Sequence, residues 1–214
     1  MDLFTLQDFK VFDLPGFQER MDRIRTKIRP KLASIGEFLA PRLSVAVDKP
    51  LFLHVAKHMR RTVNPPDDTW AALGCHSRGY KKDVHFKVAV SRHCIRLLFE
   101  AGPEYYDKAG WARAWNAEGV GIYPGFRGLS WFENEHDEEP SADIRRAADF
   151  RKLGTDWLRR RDGQFVIGRR IDAKEFVSLD SAKFAKVALS TFRPLSILFD
   201  LHPQRKLQSG IPAH

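Results

Sequence analysis

The sequence predicts an α+β fold: an antiparallel, curved sheet of about four to six strands with helices packed on one face, a two-layer sandwich. Three observations predict it. Phe17, Met21, Ile24 and Ile28 recur at helical spacing near the N-terminus. Two alternating runs, Val84 to Val90 and His93 to Ala101, lie too close together for anything but an antiparallel hairpin. Helical patterns then return, with one more alternating run among them. With 214 residues, 43% of them hydrophobic and 12% aromatic, the chain suits one buried core. Residues 1–203 are expected to form a single domain and 204–214 a flexible tail.

Asp8 to Phe12 reads as a short extended piece closed by Pro15-Gly16. The helix from Phe17 carries a basic stripe, Arg20, Arg23, Lys27 and Lys31, read as a solvated face rather than a binding ridge. Pro30 kinks that helix or starts a second one, with Leu32, Ile35, Phe38 and Leu39, ending near Pro41; Leu43, Val45 and Val47 then alternate as a strand. Thr69 to Cys75 supplies another strand, completing a meander with the hairpin. On the hairpin, Val84, Phe86, Val88 and Val90 share one face and His85 and Lys87 the other; Ile95, Leu97 and Phe99 oppose Cys94, Arg96, Leu98 and Glu100. Tyr105 to Glu118 is a helix with Trp111 and Trp115 as core. Gly119 to Pro140 is irregular, and its acidic run from Glu133 to Glu139 reads as a solvated loop or an internal counter-charge to the basic stretch. Ser141 caps a helix reaching Arg161, Gln164 to Ile171 is a strand, Asp172 and Glu175 bracket a short helix, and Ser181 to Arg193 forms the last large helix.

One stretch reads like a site. Between His54 and Phe86 the chain gathers histidines, lysines and arginines on either side of the turn Asn64-Pro65-Pro66-Asp67-Asp68. If Phe52 to Arg61 is helical, His54, His58 and Arg61 share a face, while Val55 and Met59 give it an apolar side. That face, the cationic loop Arg78-Gly79-Tyr80-Lys81-Lys82 and the strand bearing His85 then converge on one phosphate or carboxylate, for which arginine forks and mobile lysines are suited. The expected ligand contacts are His54, Lys57, His58, Arg61, Arg78, Lys81 and His85, with Tyr80 and Trp70 as apolar walls; Trp70 is otherwise expected in the core. A metal is not expected: His54 and His58 have zinc spacing but lack a third ligand, and Cys75-His76 with His93-Cys94 point to opposite faces of their strands. No cofactor motif is present.

The segments HVAKH, NPPDDTW and RGYKKDVHF, with DFKVFDLPGFQERM and IRPKL nearer the N-terminus, resemble the YktB-like bacterial proteins, the domain of unknown function 1054. The resemblance implies a compact α+β domain with no assigned activity. It places the family's recurring polar residues on His54, Lys57, His58, Arg60, Arg61, Asn64, Trp70, Arg78, Tyr80, Lys81 and His85. Val84 and Lys87 depart from the family's usual proline and glutamine, which makes any role of Lys87 peculiar to this chain.

A net charge of +9 favours anionic partners in general, chiefly an anionic small molecule. Sequence-independent nucleic-acid binding is a rival without a recognisable motif. A phosphoester-processing enzyme is another, with His58 or His85 as general acid or base, although no carboxylate is evident to orient either ring. The N-terminus lacks a secretory pattern, no segment is apolar enough to span a bilayer, and only Cys75 and Cys94 are present, so a cytoplasmic protein without membrane contact is expected.

Overall fold

The computed structural model describes residues 1–160 and 162–201; the expected tail, 204–214, lies outside the described residues. Its centre is one antiparallel sheet of seven strands: β1 (Phe52–Val55), β2 (Asp68–Gly74), β3 (His85–Ser91), β4 (Cys94–Ala101), β5 (Ser130–Phe132), β6 (Ala142–Asp143) and β7 (Phe165–Asp172). The order across the sheet is β1-β2-β3-β4-β7-β5-β6. The sheet exceeds the expected size because β5 and β6, of three and two residues, are too short to show alternation, and β1 falls in the stretch read as a helix.

Leu51, Leu53 and Val55 alternate, and this period overrides the helical one. Leu53 pairs with Leu73 and Val55 with Ala71 at the sheet edge, and Ala56 N–H extends the ladder by donating to the Trp70 carbonyl. Met59, which a helix would have buried, is 84% exposed. After β1 the chain leaves regular structure, and His58 takes a left-handed φ of 52°, uncommon for a residue other than glycine though histidine is among those that adopt it more often.

The helices are α1 (Leu6–Phe9), α2 (Phe17–Arg23), α3 (Arg29–Val47), α4 (Lys108–Ile122), α5 (Ala147–Arg159), α6 (Ala173–Phe176) and α7 (Ser181–Leu195). Asp8 to Phe12, expected to be extended, is helical: the Asp8 carboxylate caps α1 by accepting from Thr5 N–H and Oγ1. A π-turn at Ile24–Ile28 joins α2 to α3, widening the helix just before Pro30, which has no N–H to contribute. Pro41 does not end α3. It sits inside the helix, where the Arg42 guanidinium donates to the Phe38 carbonyl at 2.8 Å. The expected strand at Leu43, Val45 and Val47 is therefore helix: Leu43 and Val47, four apart, are buried, and Val45 is 83% exposed. Ser141 starts no helix either. Its backbone N–H donates to the Trp131 carbonyl beside β6, and α5 begins only at Ala147. Asp172 precedes α6 as expected but spends its carboxylate on Arg170 rather than on a cap.

The two faces of the sheet differ, although a small apolar cluster of Leu98, Phe132 and Val166 lies beside the charges on the second. Leu73, Phe86, Val88, Val90, Ile95, Leu97, Phe99 and Ile167 form the helix-covered side, where Phe86 meets Phe192 of α7 at 4.9 Å and Trp111 of α4 meets Phe165 at 4.7 Å. Trp111, Trp115 and Trp157 are buried in that core. The opposite face carries Asp68, Trp70, His85, Lys87, Arg96 and Glu100, brought together by a register that sets His85 opposite Glu100 and Ala89 between Trp70 and Arg96. Among the described residues, no helix is long and apolar enough to cross a membrane.

Candidate functional site

The loop between β2 and β3 folds back over the polar face of the sheet. Gly74 permits this: a Cβ there would stand 2.8 Å from the Tyr80 Cβ. Tyr80 consequently lies across the strand ends, its hydroxyl accepting from Trp70 Nε1 at 2.7 Å and its ring between His54 (5.4 Å) and His85 (4.7 Å). Burial pushes its phenol up to about 12, so it stays neutral.

Outside Tyr80 runs a groove of about 580 Å³, floored by Val55 and Ala56 and walled by the loop. It draws in His54, Lys57, Arg78, Tyr80 and Lys81 of the expected contacts and adds His76 and Lys82. Its two carboxylates are engaged: Asp83 pairs with His76 at 2.6 Å and Glu104 with Lys81 at 3.8 Å. His54 Nε2 lies 2.8 Å from the His76 carbonyl. Among the described residues, Lys57, Arg78 and Lys82 have no carboxylate partner. The size is that of a small-molecule pocket, and the unengaged cations suit an oxyanion.

Three expected contacts lie elsewhere: His58 and Arg61 because the helix that was to carry them is absent, and His85 because Tyr80 covers its strand. His58 turns toward Thr69 Oγ1 at 2.9 Å and packs edge-on against Trp70. Burial there lowers its pKa to about 4 despite the nearby Asp68, so it carries no charge at neutral pH. Arg61 is exposed and, among the described residues, its side chain reaches only the Pro65 carbonyl at 3.5 Å. His85, 1% exposed, is sealed beneath Tyr80. Its Nδ1 is 3.1 Å from the Asp83 carbonyl, and its Nε2 is 3.3 Å from Glu100 Oε2, within ion-pair range but off hydrogen-bond geometry. A carboxylate therefore does stand beside this ring, contrary to the reading from sequence.

Beneath the groove is a buried ionic cluster. Lys87, fully buried, sits 3.4 Å from Glu100, contacts Glu135, and lies 4.2 Å above the Trp70 ring. Trp70 is thus half-buried on the polar face and not part of the core. Burial alone would raise the Glu100 carboxyl; Lys87 and His85 overcome it and hold Glu100 at about 2. Burial lowers the Lys87 ammonium, while Glu100 and Asp68 pull it back up. Arg96, also fully buried, donates to Asp68 at 2.6 Å, and His136 joins the same carboxylate at 3.0 Å. The alternation of the hairpin already put Arg96, Glu100 and Lys87 on the polar face. What it lacked was the register, and no local pattern announced Asp68 as a partner of Arg96 or which members of the acidic run would reach the sheet.

The family model described as Domain of unknown function (DUF1054) matches residues 4–199. The chain belongs to the DUF1054 family. A UPF0637 protein of Bacillus mycoides is 32% identical over 213 residues, covering 94% of this chain and 98% of the relative. One from Bacillus velezensis is 31% identical over 201 residues, covering 92% and 95%. One from Oceanobacillus iheyensis is 53% identical over 90 residues, a match to 42% of this chain and 44% of that relative's length. The YktB-like resemblance of the sequence is thus a true kinship. None of these names carries an activity, so DUF1054 membership fixes ancestry and not chemistry.

Proposed function

We propose that this protein binds a small phosphate- or carboxylate-bearing molecule in the groove beside Tyr80. The observation that carries the reading is the convergence of Lys57, Arg78 and Lys82 on one hollow without carboxylate partners among the described residues, next to His54 and Lys81. Arg78 supplies a forked donor and the lysines mobile charges, while Val55, Ala56 and the Tyr80 ring offer apolar surface to the rest of the ligand. We also place the protein in the cytoplasm as one domain over residues 1–203. Two free cysteines and an apolar cluster running from Phe4 to Leu201 support this.

A thermal-shift screen of inorganic phosphate, nucleotides and small carboxylates tests the proposal. Stabilisation by a member of the panel should disappear in Arg78→Ala and Lys57→Ala and survive in Arg61→Ala, whose side chain lies outside the groove. Retention on DNA or RNA that falls steeply with salt and is indifferent to all three substitutions would replace the groove with nucleic-acid binding. Turnover of a phosphodiester abolished by His58→Ala or His85→Ala would replace it with an enzyme.

A further inference from the structure

We infer that the polar face of the sheet is itself a recognition surface for an acidic peptide, held closed by the chain's own segment Glu133–Glu139. This goes beyond the groove reading and does not depend on it. The segment links β5 to β6 and contains no apolar side chain. Beside the Arg160 pair with Glu133, the His136 contact with Asp68 and the hydrogen bonds of Glu135 N–H to Gln164 and Glu133 N–H to Ser141, what holds it to the sheet is ionic and is read in two ways. Carboxylates are taken by Lys87 (Glu135), by His93 at 2.6 Å (Glu138) and by Arg170 at 2.9 Å (Glu139). Main-chain carbonyls are taken by Arg96, which donates to those of Glu135 and Asp137 at 2.8 Å each, and by Arg170, which donates to that of Glu138 at 2.9 Å.

The second set decides the class of ligand. A free carboxylate or phosphate satisfies Lys87 and His93 but offers nothing like successive peptide carbonyls for two arginine forks. Acidic polypeptide offers both. Arg96 is fully buried, and among the described residues its Nε has no hydrogen-bond partner, so the internal segment does not exhaust the site. The attachment is also of a kind that opens. β5 and β6 are joined by two residue pairs and β5 to β7 by three, so the segment itself carries no ladder, and the His93 and Glu139 ends of its ion pairs are 57% and 76% exposed. Salt weakens the exposed pairs of His93 and Glu139 and, less strongly, the buried pair of Lys87, while leaving the apolar face of the sheet intact.

The test uses the full chain and a fluorescent nine-residue peptide copying residues 132–140 as probe. Substituting Glu135→Gln, Glu138→Gln and Glu139→Gln together loosens the internal segment. The loosened protein should bind the probe about tenfold or more tightly than the unaltered chain, and a further Lys87→Met should remove the gain. Equal affinity for both proteins would overturn the inference. A measurement on the unaltered chain stands beside this in case the loosened protein does not fold. Acetylation of the Lys87 amine should accelerate about tenfold between low salt and about 1 M NaCl with near-ultraviolet circular dichroism unchanged. Acetylation of Lys87 only at the rate of global unfolding would overturn it.

Discussion

Single residues carry the sharpest consequences. His58 is half-buried in its neutral form, so its folded pKa of about 4 lies below its ordinary 6.5. Between those values the unfolded chain binds the extra proton, which means that the stability His58 contributes is present above pH 6.5 and is lost as pH falls toward 4. The loss should be about 2 kcal/mol once partial solvent exposure is discounted. His58→Asn, which tolerates the left-handed backbone, should remove that increment from the pH dependence of denaturant unfolding. Glu100 acts in a lower window: its contribution is present above pH 4.5 and is lost as pH falls through about 2. Because Glu100 and Lys87 are buried partners, Glu100→Gln or Lys87→Met alone should cost about 3 kcal/mol by leaving the other charge uncompensated. The double variant should cost at least about 1 kcal/mol less than the sum. Additive losses in a double-mutant cycle would mean the two do not interact.

At the scale of elements, strands in the middle of the sheet could be read from sequence and its edges could not. Val84 to Val90 and His93 to Ala101 alternate over enough residues for the period to stand out, and both are strands in the structure. The run from Phe52 to Arg61 satisfies two periods at once, His54 and His58 at helical spacing and Leu53 and Val55 at strand spacing. Pairing with β2 chose between them, and pairing is a long-range fact. The run at Leu43 to Val47 was ambiguous in the same way and resolved the opposite way, because a helix was already running when the chain reached it. The join between β4 and β7 depends on a residue without a side chain: a Cβ on Gly168 would fall 1.9 Å from the Leu97 carbonyl oxygen. Gly168→Ala should therefore force the two strands apart and cost about 3 kcal/mol or more in thermal or chemical unfolding. A variant as stable as the parent would show that this approach is looser than described.

For the whole molecule, the fold divides labour between the faces of one sheet. The side covered by α3 and α7 is an ordinary apolar core, and the other side collects charge, some of it buried and paired and some of it left open to solvent in the groove. The sequence indicated which residues were cationic and which face of each strand they occupied. It did not show that Tyr80 would separate them into an outer set, Lys57, Arg78, Lys81 and Lys82, and an inner set, His85 and Lys87, since that follows from how the loop after β2 folds back over Gly74. The acidic run from Glu133 to Glu139, read as a solvated loop or a counter-charge to the stretch His54 to Phe86, is a counter-charge in part, but to Lys87, His93 and Arg170, which lie outside that stretch.

The outer set is what gives the protein a proposed ligand, and backbone amide shifts locate that ligand directly. In a titration with inorganic phosphate followed by two-dimensional nitrogen-proton spectra, the perturbed amides should be those of Val55 to Lys57 and His76 to Asp83, moving together with one dissociation constant. Perturbations confined to the basic stripe of Arg23 and Lys27, or scattered evenly over the basic surface, would contradict the groove as the site of anion binding.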